Sequence, residues 1–281
     1  MIIWLASYPK SGNTWLRSLL ASYYFSDDGI FDFDLLKKID AYPSVAYFKK
    51  YKDNFSNPVS TSRYWISEQE NINKDNKLRF FKTHNAMVKI NGNSFTNENN
   101  TLAAIHIVRD PRNVITSIAN HFLISQEEAY DFLITENKGI IQKINNRYLG
   151  FNALCSWKFH EKSWSECNKF PVLTIKYEEL QKEVLKTFEK VINFILNITK
   201  SKNSFNLDKA KKSIESCDFE KLSKLESEKG FDEAVINQAN NKKIKFFNLG
   251  IKNNFQNLLK KELIDKANIS FRDQLKKYQY E

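Results

Sequence analysis

Short, wholly apolar runs alternate along the chain with longer segments whose apolar residues recur at helical spacing. Met1–Ser7 (MIIWLAS) stops at Tyr8-Pro9 and predicts a buried strand. Arg79–Thr83 (RFFKT), Leu102–Val108 (LAAIHIV) and Val172–Lys176 (VLTIK) predict three more. Thr14–Phe25 has the spacing of a helix. Asp110 can cap a second one, with Pro111 suited to its first turn and Asn113–Phe122 continuing it. Further helices are expected over Phe151–Asn168, Glu178–Leu196, Leu207–Ser216 and Leu258–Tyr278. Asn91–Asn100 and Glu226–Lys245, the latter with Gly230 and the Asn240-Asn241-Lys242 triplet, read as loops. Wholly apolar strands interleaved with helices predict an α/β fold with a parallel sheet covered on both faces. Ligands in such folds sit at the carboxyl ends of the strands. Polar groups just after each strand are therefore the first candidates for chemistry.

Composition narrows the class. The chain has 281 residues, of which 42% are hydrophobic. No run approaches the roughly eighteen apolar residues of a membrane span. The start, MIIWLASYPK, lacks the basic head and long apolar core of a secretory signal. Cys155, Cys167 and Cys217 are odd in number and widely spaced, with no zinc-like pattern. A reducing, cytoplasmic location is the expectation. The net charge is +10. With 36 Lys, 31 Asn and only 7 Arg, an AT-rich coding bias accounts for the excess as readily as a basic surface does. The basic residues are spread along the chain and no nucleic-acid motif occurs, so small anionic ligands are favoured over nucleic acid. Scarcity makes each arginine informative, and Arg17, Arg109 and Arg112 fall in or beside the two motifs that matter most.

Tyr8-Pro9-Lys10-Ser11-Gly12-Asn13-Thr14-Trp15 joins the first strand to its helix. Small residues there permit a tight turn with inward backbone N–H groups, and the helix adds its positive end. Lys10, Ser11 and Thr14 add donors, giving an anion cradle; a plain strand-to-helix turn is the alternative. The Walker A pattern is absent, since the lysine precedes the glycine. Lys82 and His84 lie two apart at the end of a strand, hence on one face. A histidine so placed can be a general base or a simple cap. Arg109 leaves a buried strand at a proline turn, with Ser117 two helical turns on, a pairing suited to gripping a phosphate. Arg112 reads as a solvated helix residue.

These stretches resemble the sulfotransferases. YPKSGNTWLR resembles their 5′-phosphosulfate loop, VRDPRNVITSIANHF their 3′-phosphate motif, and FFKTH their K-x-H strand. Trp157–Trp164 is similar to their W-x-x-H-x-x-x-W helix, VLTIKYEEL to their V-L-x-x-x-Y-E-D-[LM] segment, and Phe219–Leu222 to their S-F-E-x-[ML] segment. The similarity runs in order from Met1 to about Phe255. It implies a P-loop-containing nucleoside triphosphate hydrolase-like three-layer α/β/α fold, one sulfotransferase domain over 1–281, and sulfuryl transfer from 3′-phosphoadenosine 5′-phosphosulfate (PAPS) to a hydroxyl or amine. The spent nucleotide is 3′-phosphoadenosine 5′-phosphate (PAP). By resemblance, Lys10 touches the bridging oxygen and 5′-phosphate, and Ser11, Gly12, Asn13 and Thr14 wrap that phosphate. Trp15 packs on the adenine, Arg109 and Ser117 hold the 3′-phosphate, and Tyr177 and Phe219 line the nucleoside site. His84 becomes the general base and Lys82 sits near the transferred sulfuryl oxygens. No metal is expected. His160 is assigned to core packing.

One stretch departs from the pattern. Where the family carries R-K-G-x-x-G-x-W, this chain reads Phe246-Phe247-Asn248-Leu249-Gly250-Ile251-Lys252. Read one way, Asn248 and Leu249 replace the Arg and Lys, and only Gly250 survives. Read another way, Gly250 starts a shortened G-D-W-K-N-x-F, with Ile251 for the tryptophan. Either way the basic pair is missing in register, and Lys242, Lys243 or Lys245 are candidates to replace it. The rival readings are a P-loop small-molecule kinase and a non-catalytic nucleotide- or anion-binding module. The acceptor, a small molecule or carbohydrate, is expected to meet segments outside the motifs: Ser26–Lys77, Ile124–Arg147 and Glu226–Lys245. The aromatics of the first (Tyr42, Tyr47, Phe48, Tyr51, Phe55, Tyr64 and Trp65) read as core in preference to a stacking surface.

Overall fold

The computed structural model describes residues 1–237 and 242–280. Its strands are β1 (Ile2–Ser7), β2 (Asp40–Ala41), β3 (Arg79–Thr83), β4 (Lys89–Ile90), β5 (Asn93–Ser94), β6 (Thr101–Val108), β7 (Gly139–Ile144), β8 (Arg147–Ala153), β9 (Val172–Lys176), β10 (Ile236–Asn237) and β11 (Lys242–Lys243). The helices are α1 (Asn13–Phe25), α2 (Val45–Phe48), α3 (Trp65–Asn73), α4 (Pro111–Phe122), α5 (Gln126–Ile134), α6 (Trp157–Ser165), α7 (Tyr177–Lys182), α8 (Val184–Ile198), α9 (Leu207–Ser216), α10 (Phe219–Lys229), α11 (Phe255–Leu258), α12 (Lys261–Ser270) and α13 (Arg272–Tyr278). Among the described residues no helix is long and apolar enough to cross a membrane.

The central sheet has the order β2-β3-β1-β6-β9, and every pairing in it is parallel. β1 is wholly buried because both of its faces are covered. Ile3 and Leu5 join Leu16, Leu19, Phe188 and Ile192 from α1 and α8 on one side. Ile2, Trp4 and Ala6 join Trp65, Phe95 and Trp164 on the other. This is the period-two alternation of a strand, and each large buried side chain contributes roughly 1.5–3 kcal/mol. The predicted three-layer α/β/α arrangement is therefore present. Tyr42, Phe48, Phe55 and Trp65 are core, with Tyr47, Tyr51 and Tyr64 packed against them, as their composition suggested.

Several local expectations need correction. Phe151–Ala153 is not helical but ends β8, which pairs with β7 as an antiparallel hairpin. Phe151 and Ala153 face the core with Asn152 between them, and the helix starts at Trp157 because the Ser156 hydroxyl caps it. The long helix expected from Glu178 is two, broken where Glu183 adopts φ −133°, ψ 57°. The helix expected over Leu258–Tyr278 likewise divides into α12 and α13, with Leu258 itself ending α11. Asn93–Ser94 of the first expected loop forms β5, which pairs with β4. Glu226–Lys229 of the second expected loop belong to α10, while Asn240 and Asn241 lie outside the described residues. Arg112 is not solvated. It is buried, pairs with Asp110 at 2.7 Å and donates to the Asn268 side chain at 3.0 Å, tying α4 to α12.

Candidate active site

β1, β3, β6 and β9 all end at one rim of the sheet, and a cavity of about 540 Å³ opens there. Its walls include Lys10, Gly12, Asn13, Thr14 and Trp15 after β1. Lys82 and His84 come from the end of β3, and Arg109 follows β6. Tyr177 follows β9, while Ser117, Phe219 and Gly250 complete the set. Of the residues assigned by resemblance to the nucleotide and the chemistry, Ser11 alone lies behind the wall, buried, with its hydroxyl lacking a partner.

The β1–α1 loop owes its shape to left-handed residues, Lys10 (φ 65°) and Gly12 (φ 98°). A Cβ at Gly12 would lie 2.4 Å from Tyr177 Cδ2, so only glycine lets that ring cover the turn. Gly12 also offers no side-chain cap to α1, and the first intrahelical bond runs from Leu16 N to the Gly12 carbonyl. The N–H groups of the first turn thus remain free for an anion. Asn13 anchors the loop by donating to the Leu5 carbonyl at 2.8 Å and the Ser7 hydroxyl at 3.1 Å. Trp15 Nε1 donates to the Cys217 carbonyl at 3.0 Å, and its indole meets Tyr177 edge-on, centroids 5.9 Å apart. Gly250 (φ 51°) repeats the device across the cavity. A Cβ there would fall 2.6 Å from the Phe219 ring.

The cations are dense and desolvated. Arg109 Nη1 donates to the Lys10 carbonyl at 3.0 Å, its guanidinium lies 4.2 Å from the Tyr177 centroid, and its buried Nε has no partner. Lys10 Nζ sits 3.7 Å from the Phe246 centroid and 3.4 Å from His121 Nδ1. Burial pulls Lys10 down to about 7, with Lys82 and Arg109 assisting against Glu233. Lys82 is lowered by burial, an effect Glu233 opposes. Lys82 pairs with Glu233 at 2.9 Å, and the same carboxylate meets Arg17 at 2.5 Å and accepts from the Thr14 hydroxyl at 3.1 Å. Burial pushes the Glu233 carboxyl up, yet the Lys82 and Arg17 charges outweigh it and hold it well below the usual carboxylate range. His84 Nδ1 lies 2.8 Å from the Ser7 carbonyl and must donate to it, which leaves Nε2 as the free acceptor. Burial, then the Lys82 charge, lowers His84 to about 3, so the ring is neutral near pH 7.

His160 is fully buried and packs edge-on against Tyr8, centroids 5.5 Å apart, away from the cavity wall, as core assignment required. Sequence reasoning missed Asn120, His121, Glu233, Phe246, Phe247 and Asn248 as wall residues. Asn120 and His121 follow Ser117 by three and four positions on α4, so helical spacing could have found them. Of the expected acceptor segments, Ile140 and Glu233 reach the cavity, and 26–77 contribute nothing to it.

A parallel sheet whose first turn and neighbouring strand ends build a cationic cavity defines a P-loop-like α/β protein. The family model described as the sulfotransferase domain matches residues 2–279, and the chain belongs to the sulfotransferase family. Luciferin sulfotransferase of Photinus pyralis is 27% identical over 197 residues, covering 68% of this chain and 50% of that protein. Human Sulfotransferase 1E1 is 25% identical over 193 residues, covering 68% of this chain and 58% of its own length. The match thus spans about half to three fifths of these relatives. The fold is shared with mouse sulfotransferase SULT7A1 complexed with PAP, at a TM-score of 0.58 and 19% identity, covering 97% of this chain and 82% of that one. Retinol dehydratase in complex with androsterone and inactive cofactor PAP gives 0.59 at 15% identity, covering 98% and 80%.

Proposed function

We propose that the chain is a single sulfotransferase domain over 1–281 that moves the sulfuryl group of PAPS to a hydroxyl or amine on a small-molecule or carbohydrate acceptor. The observation that carries this reading is the convergence of Lys10, Lys82, His84 and Arg109 on one cavity. The residues present fit such a nucleotide. The buried Ser11 hydroxyl and Arg109 Nε lack partners, α1 is uncapped, and two glycines make room for aromatic rings at either end.

When bound, PAPS supplies an activated sulfuryl group for in-line transfer. The protein's part is positioning and charge stabilisation. The first-turn N–H groups of α1, with Ser11 and Thr14, receive the 5′-phosphate, and Lys10 supports the bridging oxygen. Arg109 and Ser117 take the 3′-phosphate. Trp15, Tyr177 and Phe219 enclose the nucleoside. Lys82 stands by the oxygens that gain charge. His84, held by the Ser7 carbonyl through Nδ1, accepts the acceptor's proton at Nε2. Its neutral state supports that role, and an anionic neighbour would raise its basicity. Retinol dehydratase has been crystallised with androsterone and with retinol, which supports a small apolar acceptor here too.

The test is transfer of radiolabelled sulfate from PAPS across a panel of phenols, sugars, lipids and amines. At least one acceptor should become labelled, and labelling should vanish in Lys10→Ala. Absence of PAP binding by calorimetry would contradict the reading outright.

A further inference from the structure

Glu233 stands out in the cavity, because an anion site does not call for a carboxylate among its cations. Its carboxylate lies among the same groups assigned above to the sulfuryl and 5′-phosphate oxygens. One oxygen pairs with Lys82 at 2.9 Å and accepts from Thr14 at 3.1 Å, while the other meets Arg17 at 2.5 Å. Two separate elements, α1 and β3, thus converge on a single negative charge carried by the turn after α10. Its side chain is 27% exposed against 6% for Arg17 and 14% for Lys82, so it enters from the solvent side. The turn that carries it closes through Ala234 N donating to the Phe231 carbonyl at 3.2 Å. Phe231 is buried and stacks on Phe33, centroids 4.7 Å apart. The carboxylate is therefore presented from a turn that is anchored to the core through Phe231.

We propose that Glu233 is an internal competitor for the donor's anionic group: its carboxylate takes the Thr14–Arg17–Lys82 position and must leave when the nucleotide binds there. The proposal rests on the sulfotransferase reading of the cavity. Two carboxylate- or phosphate-sized anions cannot share Lys82 and the Thr14 hydroxyl, and at a few ångströms in a dry site their repulsion is severe. An oxygen charge that competes for the same donors weakens the nucleotide by the free energy of its own contacts. The carboxylate also keeps two buried cations compensated, which an all-cationic site would not.

The decisive measurement is PAP affinity by calorimetry in the full chain, for wild type, Glu233→Gln and Asp232→Asn. Asp232 is the exposed neighbour and removes one charge without touching the cavity. Glu233→Gln should bind PAP about tenfold more tightly or better, the worth of one lost charge-assisted contact to displace. Asp232→Asn should match wild type within about twofold. Equal tightening in both variants would reduce the effect to general electrostatics and overturn the proposal. Unchanged or weaker binding in Glu233→Gln would overturn it too, making Glu233 a support for Lys82. Glu233→Ala serves if the glutamine variant is unstable. If wild type binds no PAP at all, the sulfotransferase reading fails, a result distinct from either.

Discussion

The two walls of the cavity are built in opposite ways. The strand-end wall uses the turns after β1, β3, β6 and β9, whose positions follow from a parallel sheet with both faces covered. Its side chains reach the cavity because backbone regularity puts them there. The facing wall, to which Glu233, Phe246, Phe247, Asn248 and Asn253 contribute, is held mainly by side-chain hydrogen bonds. Glu226 accepts from Phe246 N at 2.7 Å and Phe247 N at 2.9 Å. Asn253 accepts from Thr116 at 2.5 Å and donates to the Asn113 carbonyl at 2.9 Å, and Asn248 donates to Asn120 at 3.1 Å. Phe33, Phe231 and Phe247 pack together beneath. The first wall can be rigid before ligand arrives. The second is a set of latches onto α4 and α10, and it carries the Glu233 carboxylate that meets Lys82 and Arg17. Chemistry on the ordered side and modulation on the latched side is the division this arrangement predicts.

The sharpest way to break that division is at its chemical end. His84→Ala should lower turnover about 10²–10⁴-fold while PAP affinity stays within about twofold. Unchanged turnover would remove His84 from the chemistry. Next, Arg109→Ala should weaken PAP by roughly 10–100-fold, the worth of a charge-assisted contact of about 1.5–3 kcal/mol, with a much smaller loss for the 3′-dephospho nucleotide. Equal losses for both would refute the 3′-phosphate contact.

A pH series sharpens the comparison without mutation. Burial lowers Lys10 to about 7, so above that pH it is largely neutral and must take up a proton when an anion binds. PAP affinity should therefore fall as pH rises through 7 and beyond, by up to about tenfold per unit, with proton uptake measurable from the buffer dependence of the binding heat. His84, lowered to about 3, should add no protonation step between pH 5 and 8 in the empty protein. The smallest effect belongs to the latched wall. Asn253→Ala should cost about 1–3 kcal/mol of stability, read as a lower melting temperature, and weaken PAP only a few-fold. A loss as large as that of Arg109→Ala would erase the distinction between the walls.

The same contrast explains what the sequence could reveal. RFFKT, VLTIK and the Leu207–Ser216 helix match the structure end for end, since apolar runs bounded by turn residues define them locally. The Lys10–Trp15 loop and Arg109 were legible because a tight turn after a buried strand leaves few other uses for such residues. The β7–β8 hairpin was not, because Asn145 and Asn146 turn it with positive φ while β7 shows mostly exposed side chains and no apolar alternation. Arg112 escaped because Asp110, its counter-charge two positions away, also serves as the helix cap, and its remaining partners, Asn268 and the Tyr280 carbonyl, lie 156 and 168 positions away. Glu233 had no local signature at all. Its meaning comes from Thr14, Arg17 and Lys82, which only the fold brings beside it.

A crystal structure of the protein with PAP tests the central claim most directly. The account predicts the 5′-phosphate against the backbone of Ser11–Thr14 and the 3′-phosphate within hydrogen-bonding distance of Arg109. Nucleotide density lying elsewhere, or against neither group, would contradict it.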